Sequence, residues 1–179
     1  MRVITGSARG RKLKTLEGGD IVRPTTDRVK EAMFSIIQFD LPDAAVLDLF
    51  AGSGQLGIEA LSRGAKSCIF VDKNSDAFET VRENLASTKL AERATVLNAD
   101  SETYIRNSKN KFDIVILDPP YNMGIIDKVL PDVAKCCNDG ATIICESEFA
   151  ETLPEEAGGF VKFKEYKYSK IKLTTYKHK

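Results

Sequence analysis

The residues best suited to chemistry stand together near the middle of this 179-residue chain, in the run Phe112-Asp113-Ile114-Val115-Ile116-Leu117-Asp118-Pro119-Pro120-Tyr121. An apolar stretch delivers a carboxylate, two prolines and a tyrosine in immediate succession. Two prolines alone would merely end a strand and stiffen a loop. With Asp118 before them and Tyr121 after, the run offers two rigid acceptors, the Asp118 carboxylate and the Pro119 carbonyl, beside an aromatic face. That set suits a planar exocyclic amine, whose two N–H bonds are accepted while its ring stacks on Tyr121. Such an amine reacts only when its lone pair is freed from ring conjugation and aimed, which is catalysis by orientation and electrostatics. Asp118, Pro119, Pro120 and Tyr121 are therefore the candidate catalytic residues.

A second group lies in Val46-Leu47-Asp48-Leu49-Phe50-Ala51-Gly52-Ser53-Gly54-Gln55-Leu56-Gly57. An apolar strand runs into a glycine-rich turn and then a helix. Gly52 and Gly54 permit a tight turn and close ligand approach, and the helix that follows offers unpaired N–H groups. The pattern is formally G-x-G-x-x-G, with Asp72 standing 18 residues after Gly54 at the end of the next predicted strand. A carboxylate there accepts hydrogen bonds from ribose hydroxyls. Asp48 would repel a pyrophosphate but would attract an ammonium. S-adenosylmethionine carries an ammonium, a carboxylate, a ribose and an adenine without any phosphate. Asp48 at its methionine end, Asp72 on its ribose and Asp100 on its adenine amino group form a consistent set. Asp100 also suits the N-cap of the next helix. Phe50, Lys73 and Ser101 flank these positions and join them as cofactor contacts.

The elements that must position these groups alternate. Residues 46–50, 67–72, 94–98, 112–117 and 141–146 read as strands, largely continuous in apolar character, as in a parallel sheet covered on both faces. Helical faces fall between them: Ile58, Leu61 and Ala65; Ala77, Phe78, Val81 and Leu85; Ile125, Ile126, Val129, Val133 and Ala134. That alternation predicts a doubly wound α/β sheet, whose ligands bind at the carboxyl ends of the strands. Residues 2–5 and 12–16 are expected to pair as a hairpin, and Val29, Ala32, Met33, Ile36 and Ile37 mark a helix after Pro24. Residues 160–168 and 171–176 read as two antiparallel strands joined at Ser169-Lys170.

Composition excludes other chemistries. Cys68, Cys136, Cys137 and Cys145 form no C-x-x-C pair, and His178 is the sole histidine, so neither a zinc site nor a histidine-based triad is expected. The opening lacks the apolar core of a signal peptide and no run approaches membrane-spanning length, so a cytoplasmic protein is expected. The 26 basic and 26 acidic residues cancel, yet unevenly: residues 1–30 carry +5, residues 31–159 carry −11 and residues 160–179 carry +6. Two basic ends around an acidic middle suit a nucleic acid that reaches Asp118 from the flanks.

Four stretches carry a resemblance along nearly the whole chain: Gly6 with Arg9-Gly10-Arg11-Lys12-Leu13, Arg23-Pro24-Thr25-Thr26-Asp27-Arg28, Asp48-Leu49-Phe50-Ala51-Gly52-Ser53-Gly54, and Asp118-Pro119-Pro120-Tyr121. In this order they resemble the RsmD-type 16S ribosomal RNA (guanine-N2) methyltransferase family. The resemblance implies methyl transfer from S-adenosylmethionine to N2 of one guanine in 16S RNA, free or in a 30S assembly particle. It implies a Rossmann-like methyltransferase fold, with a seven-stranded mostly parallel sheet, a C-terminal antiparallel hairpin and a small N-terminal β-hairpin extension. Residues 1–22 would be the basic extension and 23–179 the methyltransferase domain. Thr25, Thr26 and Arg28 would help close the cofactor site, while Arg9, Arg11, Lys12, Lys170 and Lys172 would meet RNA. A monomer with no metal and no membrane contact is expected. Gln55 and Ser169 depart from the family pattern, standing where a small residue and a glycine are usual. Protein glutamine and DNA adenine methyltransferases share Asp-Pro-Pro-Tyr-like elements, and an RNA-binding assembly factor without activity is the alternative of another class.

Overall fold

The computed structural model describes residues 1–16 and 26–179. The five apolar runs form the parallel half of one sheet: β1 (Ala45–Asp48), β2 (Ser67–Asp72), β3 (Ala94–Asn98), β4 (Phe112–Leu117) and β5 (Cys137–Glu148). Helices α2 (Gln55–Ser62), α3 (Ser75–Thr88), α4 (Ser101–Asn107) and α5 (Ile125–Lys135) connect them, and α1 (Asp27–Ile36) precedes them. The remaining strands are β6 (Glu156–Ala157), β7 (Phe160–Tyr168) and β8 (Ile171–His178), in the spatial order β3-β2-β1-β4-β5-β8-β7-β6. From β1 the chain moves outward through β2 and β3, then returns to place β4 on β1's other side. After these two paired strands the chain departs to opposite faces of the sheet, to α2 from β1 and to α5 from β4, which makes a topological switch point where open α/β sheets leave a crevice.

The predicted strand positions recur with shifts at their ends. Leu49 and Phe50 leave β1 for the glycine turn, while β5 begins earlier and runs longer than its apolar segment. The sheet has eight strands rather than seven. The addition is β6, two residues paired with Val161 and Phe160 across a turn in which Gly158 and Gly159 both take positive φ. Continuous apolar strands require cover on both faces, and two buried clusters supply it. One packs Met33, Phe34, Ile58, Leu61, Phe70 and Val81 on one face; the other packs Leu47, Val71, Val115, Val129 and Val133 on the opposite face. Each such side chain, fully buried, contributes about 1.5–3 kcal/mol of transfer free energy.

The N-terminal hairpin is reduced to an isolated Arg2–Lys12 bridge, supported by bonds from the Val3 and Leu13 N–H groups to the Arg11 and Met1 carbonyls. A longer ladder does not form because the next donors point elsewhere. The Ile4 and Thr5 N–H groups bond the Glu59 carboxylate of α2 at 2.8 and 3.0 Å. Ser62 completes the dock: its hydroxyl donates to the Thr5 carbonyl and its own carbonyl accepts the Ser7 N–H. Gly6, at φ +91°, lies so close that a Cβ would stand 1.8 Å from the Ser62 carbonyl oxygen. Glu59 is fully buried with Lys30 of α1, 3.7 Å away, and Arg63, 2.8 Å away. Burial lowers the Lys30 ammonium pKa, against the pull of Glu59.

Candidate active site

A cavity of about 430 Å³ opens at the carboxyl ends of β1 and β4. Its walls come from successive strand ends. Phe50 and Gly52 follow β1; Asp72, Lys73 and Asn74 end β2; Asp100, Ser101 and Glu102 open α4 after β3. The whole Asp118-Pro119-Pro120-Tyr121 turn follows β4 and forms the facing wall, with Met123 and Ile125 beyond it and Leu16 from the N-terminal segment. All four candidate catalytic residues and six of the proposed cofactor contacts thus face one space.

Local sequence explains the shape. Gly52 adopts φ +53°, and a Cβ built on it would meet nothing within 4 Å, so its bare backbone borders open space. Its N–H donates to Asp72 Oδ2 at 2.9 Å, while Asp72 Oδ1 accepts the Asn74 N–H. That carboxylate pins the glycine turn to the end of β2 and keeps acceptor capacity for a hydroxyl donor. Gly54 and Gly57 serve packing: a Cβ on Gly54 would stand 3.0 Å from Val81, and one on Gly57 would stand 2.2 Å from the Phe70 ring. Asp100 caps α4, accepting the Thr103 N–H and hydroxyl, and these bonds lower its pKa. Ser101 donates its hydroxyl to the Leu49 carbonyl at 2.7 Å, tying α4 to the chain entering the turn.

Asp48 differs from expectation. It is 1 % exposed, does not line the cavity, and accepts the Gly57 N–H at 2.9 Å. Desolvation raises its pKa to about 7, opposed by that hydrogen bond and helped by nearby Asp72. Its role in this geometry is to hold the first turn of α2 from below, and Oδ1 has no partner among the described residues. Gly54 also lies behind the wall. Thr26 is the N-cap of α1, its hydroxyl accepting the Val29 N–H, and Arg28 is exposed on that helix; neither lines the cavity. Thr25 lies outside the described residues. Gln55 is buried with its carbonyl oxygen unpartnered among the described residues, whereas Ser169 takes φ +57°, the conformation that favours glycine there.

Sequence reasoning missed Glu146. This β5 residue is 1 % exposed and accepts the Tyr121 hydroxyl at 2.5 Å. An acid directly after the apolar run Ile143-Ile144-Cys145 was the available signal, since buried carboxylates need partners. Of the expected RNA contacts, Arg9, Arg11, Lys12 and Lys170 are exposed. Lys172 is not: it is 5 % exposed, and its ammonium lies 2.7 Å from the Glu151 carbonyl and 3.1 Å from Glu165. Residues 171–176 of β8 are buried on both faces of the sheet, so that enclosed lysine cannot serve an external phosphate in this arrangement.

The donor set discriminates among cofactors. Among the described residues, Asp72, Asp100, Glu102 and Asp118 face the cavity against one cation, Lys73. A pyrophosphate would meet net repulsion there, whereas a cationic ligand bearing hydroxyls and an amino group finds acceptors at each strand end. S-adenosylmethionine fits this set. Among the described residues, no cluster of histidine, cysteine, aspartate and glutamate could hold a metal ion, and no helix is long and apolar enough to cross a membrane.

Relatives agree in length and shape. "Putative rRNA methyltransferase YlbH" of Bacillus subtilis is 39% identical over 182 residues, spanning 99% of this chain and 98% of that protein. "Ribosomal RNA small subunit methyltransferase D" of Escherichia coli is 36% identical, spanning 86% and 78%. The structure titled "Putative methyltransferase yhhF from Escherichia coli" superposes with a TM-score of 0.89 at 32% identity, covering 100% of this chain and 98% of that one. The family profile described as "Conserved hypothetical protein 95" matches residues 1–177. With that profile running nearly end to end, the chain belongs to this family, that of the RsmD-type methyltransferases.

Proposed function

We propose that the protein transfers the methyl group of S-adenosylmethionine to the exocyclic N2 amine of a guanine in 16S ribosomal RNA. The observation that carries this reading is that Asp118-Pro119-Pro120-Tyr121 and the Gly52–Asp72–Asp100 strand ends form facing walls of one cavity. When bound, S-adenosylmethionine supplies a methyl group activated by its positive sulfur. Asp72 accepts from the ribose hydroxyls, and the bare Gly52 backbone lets the cofactor lie close. Across the cavity, the Asp118 carboxylate and Pro119 carbonyl accept the two N–H bonds of the guanine amine and turn its nitrogen lone pair toward the methyl group. In that transfer the methyl–sulfur bond would break as the nitrogen–methyl bond forms, leaving the cofactor a neutral thioether, and the Asp118 carboxylate would accept the one proton lost from the nitrogen and pass it to water. Tyr121 stacks on the base, its ring fixed by Glu146.

A base inside a helix is out of reach, so the target guanine is unstacked, at a cost of a few kcal/mol. The relatives' ribosomal RNA names support the substrate, and the Asp-Pro-Pro-Tyr geometry supports an amine as acceptor. In this reading the basic segment before residue 23 is an RNA-binding extension of a methyltransferase domain over residues 23–179. The protein acts as a monomer in the cytoplasm, where ribosomal subunits assemble. The test uses 16S RNA and 30S particles from a strain lacking the gene, incubated with the protein and labelled cofactor and then digested to nucleosides. Label in N2-methylguanosine is the expected result. Label in another nucleoside, or in protein, would replace the substrate assignment.

A further inference from the structure

We propose that Phe149 and the outer end of the β7–β8 hairpin form a stacking platform for the nucleotide next to the target guanine. The proposal rests on the RNA-methylating reading above and adds a second contact site to it. Phe149 follows β5 and is 45 % exposed. The Lys167 ammonium lies 4.8 Å from its ring centroid, and its N–H is fixed to the Lys170 carbonyl at 2.8 Å, in the hairpin turn. An exposed aromatic ring beside the exposed Lys167, with the exposed Lys170 in the adjoining turn, presents a face for a base and cations for the adjoining phosphates. Exposed lysine side chains reorient readily, so Lys167 exchanges the ring for a phosphate as a base arrives.

The platform is joined to the reactive turn. Asn122, directly after Tyr121 and at φ +59°, donates its side-chain amide to Glu148, the residue before Phe149. Met123, 61 % exposed, lines the cavity on the same loop. A strand with its guanine between Asp118 and Tyr121 therefore leaves the cavity toward Met123 and Phe149. Extruding a guanine unstacks its neighbours, and an aromatic side chain at the exit restores part of that loss. Charge complementarity favours RNA as the occupant, because Lys164, Lys167 and Lys170 of this hairpin are exposed and make no ion pair among the described residues, whereas Lys162, Lys172, Lys177 and Lys179 are paired with acids.

The test compares Phe149→Leu, Phe149→Tyr and Lys167→Ala/Lys170→Ala in the full chain, measuring binding to unmodified 16S RNA and to 30S particles across a salt series and S-adenosylmethionine affinity in parallel. Leucine keeps an apolar surface but removes the stacking face, so Phe149→Leu should weaken RNA binding by roughly five- to tenfold, with Phe149→Tyr near wild type. The double lysine variant should lower the slope of log affinity against log salt by about 1.4, for two single-strand phosphate contacts. Cofactor affinity should not change. Wild-type RNA affinity and slope in these variants would overturn the proposal. So would a loss seen only with 30S particles and tolerated by leucine, which would assign the face to a ribosomal protein. If the wild-type protein binds RNA through this face but methylates no guanine, the functional reading fails and the platform stands.

Discussion

Burial of the Asp48 carboxylate beneath the glycine turn carries a consequence that needs no ligand. Its folded pKa of about 7 lies above the ordinary carboxylate value of 3.8, so the native state holds this proton more tightly than the unfolded chain. The resulting stabilisation is complete below the unfolded value and is lost as pH rises through about 7. Thermal unfolding followed from pH 4 to 8 should show that decline in the wild type and its removal in Asp48→Asn. An identical pH profile for the two proteins would place the titration elsewhere. Tyr121 and Glu146 carry a prediction of a different kind. If Glu146 acts by fixing the Tyr121 ring, Glu146→Gln should slow transfer in the wild type and add little in a Tyr121→Phe background. Additive losses across that cycle would give Glu146 a role apart from Tyr121.

At the scale of the elements, much was legible. The ranges of β2, β3 and β4 follow directly from largely continuous β-branched and apolar runs, and the faces of α2, α3 and α5 from their helical spacing. The place of the Asp118–Tyr121 turn was legible because an acid and two prolines end an apolar strand, and the structure sets all four residues on the cavity. What escaped depends on contacts between distant segments. Nothing near residues 2–5 announces that their N–H groups belong to Glu59, which is why a single bridge replaces the hairpin. Nor does the spacing around Asp48 or Lys172 reveal that one lies under the turn and the other is enclosed. Gly57 tests the packing that shapes the site. Gly57→Ala places a Cβ 2.2 Å from Phe70, at the junction of α2 and β2. Overpacking of this kind should cost about 1–3 kcal/mol in urea unfolding. A neutral substitution would mean that α2 can shift on the sheet.

For the whole molecule, neutrality hides a division. The acidic middle supplies the carboxylates at the strand ends, and the basic ends flank them. The N-terminal segment is bound through Glu59 to the helix that starts at the glycine turn, so its exposed Arg9, Arg11 and Lys12 are held in a fixed relation to the cavity. Replacing those three with alanine should lower RNA affinity and reduce its salt slope by about 2, while leaving cofactor affinity intact. An unchanged slope would make the segment an ordinary solvated surface.

The central claim is that the turn after β4 aims an amine at a methyl group held by the strands across from it. Single-turnover transfer of labelled methyl to unmodified 30S particles, with cofactor affinity measured in parallel for wild type and Asp118→Ala, tests it most directly. Transfer should fall by about 10²–10³-fold or more, the usual cost of removing a group aimed at the transition state, with cofactor binding still measurable. Transfer by Asp118→Ala at the wild-type rate would contradict the account.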